Sequence, residues 1–157
     1  MGEGGQNCRV IFLFHNSVYN MIQKQIIMCQ ISGRRPVMKA IIAGLRGFND
    51  YDLFKSELEK IIHNNAIEIS EIVSGGASGV DTMAEKYANE KGIVLKVFNA
   101  NWKKYGRSAG PVRNKEMAEY VGENGALIAF WDYKSKGTGS MIKLAEKNNV
   151  KTYICDI

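Results

Sequence analysis

Five short apolar runs, separated by segments with helical periodicity, limit the folds open to this chain more than any other feature. The predicted strands are residues 39–44, 67–73, 93–98, 126–131 and 150–155. The predicted helices are residues 50–63, 80–91, 111–121 and 139–148. Apolar strands that alternate with helices predict an α/β domain, in which a parallel sheet is covered by helices on both faces.

The composition excludes several other classes of protein. Of the 157 residues, 45% are apolar and 24% are charged, which is typical of a globular domain. No run approaches the roughly 18 apolar residues that a membrane-spanning helix needs. The cysteines at positions 8, 29 and 155 lie far apart, so neither a zinc site nor a disulfide scaffold is predicted. We therefore expect a cytoplasmic protein with no metal, no cofactor and no membrane partner.

The first 37 residues lack the periodic order of the rest and are interpreted as an N-terminal extension of a domain at residues 38–157. Arg34 and Arg35 can be encoded by AGGAGG, a bacterial ribosome-binding sequence, and Met38 follows shortly after them. We therefore expect the extension to be translated upstream sequence, with a native start at Met38. A partner-binding arm is the alternative interpretation.

The positive charge is concentrated in this extension. The chain has a net charge of +5, of which residues 1–37 carry +3 and residues 38–157 only +2. Because the domain itself is nearly balanced, bulk electrostatics do not favour a nucleic-acid partner. The sequence does not decide between a monomer and a homo-oligomer.

Polar or glycine-rich segments follow four of the predicted strands, at the sheet edge where ligands of parallel α/β folds bind. After the first strand, Gly44 permits a tight turn and Arg46 offers a forked cation. After the second strand, residues 74–81 read SGGASGVD. Glycines between a strand and a helix N-terminus can direct amides at an anion, so we predict a phosphate or ribose site there. A tight turn capped by Asp81 is the alternative.

The segments after the third and fourth strands are predicted to lie at the same ligand-binding edge of the sheet. Residues 99–115 contain five basic residues and no acidic one, with Trp102 and Tyr105 between them. Such a stretch can hold a phosphate and stack a base. Residues 137–140 open the last helix and supply a second helix N-terminus with hydroxyl groups, although ordinary helix capping explains them equally well. The predicted ligand-binding residues are Gly44, Arg46, Ser74, Gly75, Gly76, Ala77, Ser78, Gly79, Asp81, Arg113, Asn114, Gly137, Thr138 and Ser140.

Four motifs in this order resemble the SLOG superfamily, and in particular its small stand-alone branch related to YspA and cpYpsA proteins. The motifs are residues 44–48 (GLRGF), 74–81 (SGGASGVD), 109–114 (AGPVRN) and 136–138 (KGT). The resemblance covers residues 38–157. It implies a Rossmann-like, doubly wound sheet of about five strands that binds nucleotides or nucleotide-derived ligands.

Relatives within that superfamily differ in activity. The LOG phosphoribohydrolases cleave a base from a nucleotide, and the DNA-processing protein A family binds single-stranded DNA. The LOG loop reads Pro-Gly-Gly-x-Gly-Thr and is followed by a catalytic Glu. Residues 74–81 depart from that loop, so the Glu has no direct counterpart in this chain.

Three functions follow as hypotheses. The first is nucleotide binding with hydrolysis of an N-glycosidic bond, for which Asp81, Glu85 or Asp132 would supply the carboxylate. The second is a non-catalytic sensor or sequestering protein for a nucleotide signal such as an ADP-ribose derivative. The third is single-stranded DNA binding through residues 102–115, which the charge balance does not favour.

Overall fold

The computed structural model describes residues 36–157. Almost all of the predicted N-terminal extension, including Arg34 and Arg35, therefore lies outside the described residues. The boundary between extension and domain stays a prediction.

A parallel five-stranded sheet forms the centre of the domain, in the order β3-β2-β1-β4-β5. Its strands are β1 (Val37–Gly44), β2 (Glu68–Ser74), β3 (Val94–Val97), β4 (Ala126–Trp131) and β5 (Lys151–Asp156). The chain adds β2 and β3 on one side of β1, and then returns to add β4 and β5 on the other side. This is the predicted α/β, Rossmann-like doubly wound sheet, and the structure confirms it.

Helices cover both faces of this sheet. They are α1 (Tyr51–Asn64), α2 (Val80–Lys91), α3 (Trp102–Tyr105), α4 (Ala109–Val121) and α5 (Lys136–Lys147), with a 3₁₀ turn at Gly106–Ser108. Successive strand residues point to opposite faces: Ile42 packs with α1 and α2, while Ile41 packs with α4 and α5. Because both faces are buried, β4 is apolar throughout, and β1 is apolar except for Lys39 near its start.

Two helical elements differ from the sequence expectation. The stretch predicted as polar coil at residues 99–108 contains α3, because the Asn101 side chain accepts a hydrogen bond from the Lys104 amide at 3.0 Å and caps that turn. Helix α5 begins at Lys136, three residues before the predicted start at Gly139. The carboxylate of Asp132 accepts hydrogen bonds from the amides of Lys134 and Ser135. These bonds form a tight turn after β4, so the helix begins directly after Ser135. Gly137 and Thr138 consequently lie inside the first turn of α5.

The crevice between β1 and β4 is the topological switch point of the sheet, where α/β proteins bind ligands. Gly44 pairs with Phe130 across it. A β-carbon on Gly44 would lie 2.5 Å from the Phe130 carbonyl oxygen and 2.7 Å from a methyl group of Val80. Only glycine fits this close approach of strand, strand and helix.

Within residues 36–157, no helix is both long enough and apolar enough to cross a membrane.

Replacing Gly79 by Ala should destabilise the fold more than the same change at Gly92. Both glycines have positive φ, +77° and +65°, but only Gly79 has neighbours in the way: a methyl group there would collide with the carbonyl oxygen of Leu45. We expect Gly92→Ala to cost about 1 kcal/mol through backbone strain. Gly79→Ala should cost about 2 kcal/mol more through the steric clash. Urea denaturation of both variants measures the difference, and equal losses would contradict the described packing.

Candidate functional site

A hollow of about 560 Å³ lies at the carboxyl ends of β1 and β4. We call it the switch-point hollow. The residues that line it come from the loop after β1, the start of α2, the α3–α4 region and the start of α5. Of the predicted ligand-binding residues, it brings together Gly44, Arg46, Ala77, Asp81, Arg113, Asn114, Gly137, Thr138 and Ser140. Segments far apart in sequence thus share one cavity.

The charged residues that line the hollow are mainly cationic. Arg46, Arg107, Arg113 and Lys136 contribute positive charge, and Asp81 contributes the carboxylate. Arg46, Arg107 and Lys136 are exposed, so they can reorient toward a ligand. A concave site with this excess of positive charge attracts an anion.

The N-terminus of α5 adds backbone donors to the same site. Ser135 is the N-cap residue, and its side chain makes no capping hydrogen bond to the helix. Its hydroxyl instead lies 3.2 Å from the Thr138 hydroxyl. The first amides of a helix have no intrahelical acceptor, and they carry the positive end of the helix dipole. The amides at residues 136–138 can therefore donate to an anionic group in the hollow.

The glycine-rich loop after β2 differs from the expected anion cradle. The Gly76 amide donates to the Ser74 hydroxyl at 3.1 Å, and the Ala77 amide donates to the Asp81 carboxylate at 3.2 Å. These amides are thus satisfied within the protein. A β-carbon on Gly75 would collide with the Arg113 guanidinium, which donates a hydrogen bond to the Gly75 carbonyl oxygen. The glycine at position 75 makes room for an arginine from another helix.

A buried ion pair forms behind this loop. Arg113 and Asp81 are only 9% and 5% exposed, and the Arg113 Nη1 atom lies 3.9 Å from the Asp81 Oδ2 atom. Burial raises the pKa of Asp81 to about 6, although the hydrogen bond from Ala77 and the charge of Arg113 oppose that shift. Burial also lowers the pKa of Arg113, against the charge of Asp81. Because a guanidinium stays charged in proteins, the pair titrates through the carboxyl group.

Asn114 extends this arrangement to the next helix. Its Oδ1 atom accepts a hydrogen bond from Arg113 Nε at 3.0 Å. Its amide group donates to the Gly137 carbonyl oxygen at 3.4 Å, in the first turn of α5. The ion pair and the α5 N-terminus are therefore held in one connected network.

Other predicted site residues lie outside the lining of the hollow and support it. The Ser74 hydroxyl donates to Glu85 at 2.7 Å, and the Ser78 hydroxyl donates to the Arg46 carbonyl oxygen at 3.2 Å. Asp132, offered as a catalytic carboxylate, caps the turn before α5. Of the three candidate carboxylates, only Asp81 lines the hollow. The predicted site residues that do not line the hollow are Ser74, Gly75, Gly76, Ser78, Gly79, Glu85 and Asp132.

The structure also places residues in the hollow that the sequence-based set omits. Trp102 is 54% exposed and lines the cavity, together with Arg107, Gly110 and Lys136. A β-carbon on Gly110 would lie 3.9 Å from the Trp102 ring, so the ring rests near bare helix backbone. The basic and aromatic character of residues 99–115 signalled this region, but not which of its side chains reach the hollow.

The described part of the chain contains no group of three or more His, Cys, Asp or Glu side chains arranged to hold a metal ion.

Comparisons with known proteins bear on this site. Residues 38–105 match the family described as YspA, cpYpsA-related SLOG family. The match spans β1 to α3, and so includes Arg46, the 74–81 loop and Trp102. The chain is also similar to the Gene 61 protein of Mycobacterium phage D29, at 26% identity over 117 residues, which cover 71% of this chain and 91% of that protein. No solved structure matches the chain significantly.

Replacing Asp81 by Asn should remove a pH dependence of stability. The pKa of Asp81 is about 6 in the fold and has an ordinary value of 3.8, so in this window the folded state holds a proton that the unfolded chain has released. The contribution of Asp81 to the free energy of unfolding therefore falls as pH rises between about 4 and 6. The wild type should lose up to about 3 kcal/mol relative to Asp81→Asn across this range.

Urea denaturation at several pH values measures this difference. Asp132→Asn is the matched control. Hydrogen bonds from Ser135 and Lys134 lower the pKa of Asp132, so its contribution to the free energy of unfolding changes with pH in the opposite direction. An Asp81→Asn variant whose stability follows the wild type at every pH would contradict the raised pKa.

Proposed function

We propose that the chain, whose residues 38–105 match the YspA, cpYpsA-related SLOG family, binds a nucleotide or nucleotide-derived small molecule in the switch-point hollow. The observation that carries the proposal is the composition of the lining. Exposed cations, an exposed indole and a helix N-terminus surround one cavity at the position where α/β folds bind ligands. This combination suits a ligand that has a phosphate at one end and a planar base at the other.

The phosphate is assigned to the start of α5. The amides at residues 136–138 begin α5, and the side chains of Lys136 and Arg46 line the same hollow and add positive charge. Helix N-termini with adjacent cations are frequent phosphate sites. Arg113 already pairs with Asp81 and the Gly75 carbonyl oxygen, so in this proposal it orders the wall of the site.

The base is assigned to Trp102. The indole of this residue is more than half exposed although it lines a cavity. Stacking of a base on an aromatic side chain contributes about 1–3 kcal/mol. In this proposal the Asp81 carboxylate, which also lines the hollow, accepts a hydrogen bond from a ribose hydroxyl.

Replacing Arg46 by Ala should weaken the binding of adenosine monophosphate about tenfold, since a charge-assisted hydrogen bond is worth about 1.5 kcal/mol or more. Isothermal titration calorimetry measures the dissociation constant. Lys103→Ala is the control, because this exposed cation lies beside Trp102 but does not line the hollow. Equal losses in the two variants would indicate nonspecific attraction by surface charge.

A second candidate function, hydrolysis of the N-glycosidic bond, is favoured by one observation: Asp81 is a carboxylate in the hollow with a pKa near neutrality. As a general base it would take a proton from water while the water oxygen bonds to C1′ of the ribose. The bond from C1′ to the base nitrogen breaks, and the leaving base takes up the proton that Asp81 accepted, directly or through solvent, which returns Asp81 to its ionised form. The products are ribose 5-phosphate and the free base.

If the protein is a hydrolase, Asp81→Asn should abolish release of adenine from adenosine monophosphate while the nucleotide still binds. The wild-type rate should rise with pH as Asp81 ionises, reach half of its maximum near the pKa of about 6, and level off above about pH 7. Chromatography of the free base follows the reaction, with Asp132→Asn as a carboxylate control outside the hollow. Stoichiometric binding without base release would instead favour the sensor.

Single-stranded DNA is the third candidate ligand. Lys103 and Lys104 are exposed next to Trp102, which is the side-chain pattern of a single-strand groove. An unstructured oligonucleotide that displaces the mononucleotide with a steep dependence on salt would favour this function over the small-molecule one.

A further inference from the structure

A second concave surface adjoins the switch-point hollow on the outer side of α5. We call it the outer groove. Trp131 and Tyr133 line it, and their ring centroids lie 4.7 Å apart. Ser135, Lys136 and Ser140 line both the outer groove and the hollow. The start of α5 is therefore shared between the two surfaces, and a ligand held there has access to both.

The fold holds Tyr133 exposed in an unfavourable conformation. Its φ is +60°, which a residue with a side chain rarely adopts and which costs about 1–2 kcal/mol. Its ring is nevertheless 50% exposed, and its hydroxyl donates to Asp156 at 2.5 Å. Strained residues other than glycine cluster at binding and active sites.

The helix beside these rings is shaped to receive Trp131. The indole nitrogen of Trp131 donates to the Ser135 carbonyl oxygen at 3.1 Å. A β-carbon on Gly139 would lie 3.2 Å from the indole ring. Glycine inside a helix costs roughly 1 kcal/mol relative to Ala, and at position 139 it leaves room for the aromatic wall.

The rim of the outer groove is basic. Its charged residues are Lys115, Lys134, Lys136, Lys143, Lys147 and Glu146. Lysines around an aromatic wall favour a planar group that is attached to negative charge, which is the chemistry of a second nucleotide unit.

We propose that the outer groove binds the second base of a ligand in which two nucleobases are joined through phosphates. The inference rests on the proposed function, because the first base and the phosphates lie in the switch-point hollow. The phosphates sit at the α5 N-terminus, which both surfaces share. The first base stacks on Trp102, and the second stacks on the exposed ring of Tyr133, which packs against Trp131.

Calorimetry with matched ligands tests this proposal. Diadenosine diphosphate is compared with ADP-ribose, which has the same pyrophosphate but no second base. The dinucleotide pApA is compared with adenosine 3′,5′-bisphosphate for the 3′–5′ linkage. The second base should raise affinity about tenfold or more in at least one pair, as one stacked base does. The pair of ligands in which the second base raises the affinity shows whether the two nucleosides are joined through a pyrophosphate or through a 3′–5′ linkage.

Substitutions at Tyr133 locate the second base. Tyr133→Gly removes the ring and suits the positive φ, so the fold is maintained. It should abolish the gain from the second base and leave the affinity for adenosine monophosphate unchanged. Tyr133→Phe, which keeps the ring, should retain the gain.

The outcomes separate the two proposals. If adenosine monophosphate binds but a second base adds nothing in either pair, or if Tyr133→Gly keeps the gain, the outer-groove proposal is overturned and the proposed function stands. If none of these ligands binds, both proposals fall.

Discussion

The buried ion pair between Arg113 and Asp81 is the interaction on which the site depends. Asp81 lies in the first turn of α2 on one face of the sheet, and Arg113 lies in α4 on the other face. The pair joins the two helical layers around the carboxyl edge, where a doubly wound sheet would otherwise be open. It requires a glycine at position 75, because any side chain there would occupy the position of the guanidinium.

The ion pair between Arg113 and Asp81 changes the role of the glycine-rich loop after β2. The amides of Gly76 and Ala77, which could have faced a ligand, donate to Ser74 and Asp81. In the proposed function, the first turn of α5 and the exposed cations around the hollow attract the anion instead. Asn114 couples the two parts, since it contacts both Arg113 and the Gly137 carbonyl oxygen. In the proposed function, the loop after β2 supports the site and the segment at the start of α5 binds the ligand, and both lie at the carboxyl edge of the sheet.

Much of the fold could be predicted from the sequence because both faces of the sheet are buried. Apolar runs and helix caps gave α2 and β4 with the bounds that the structure shows. The sequence predicts the start of α5 three residues too late, because the hydrogen bonds to Asp132 that form the turn before this helix depend on loop geometry. In the site, the rule that ligands lie at strand ends brought Arg46, Asp81 and Arg113 into one group. Which amides are already paired, and whether Trp102 faces the hollow, depend on tertiary contacts that periodicity does not encode.

Mapping of amide chemical shifts during a titration with adenosine monophosphate tests the central claim most directly. If the switch-point hollow binds the nucleotide, saturable ¹H–¹⁵N shifts should be largest at residues 136–138 and 46–47, where the donors of the site lie. Shifts confined to the outer surface of α1, or no saturable shifts at all, would contradict the account.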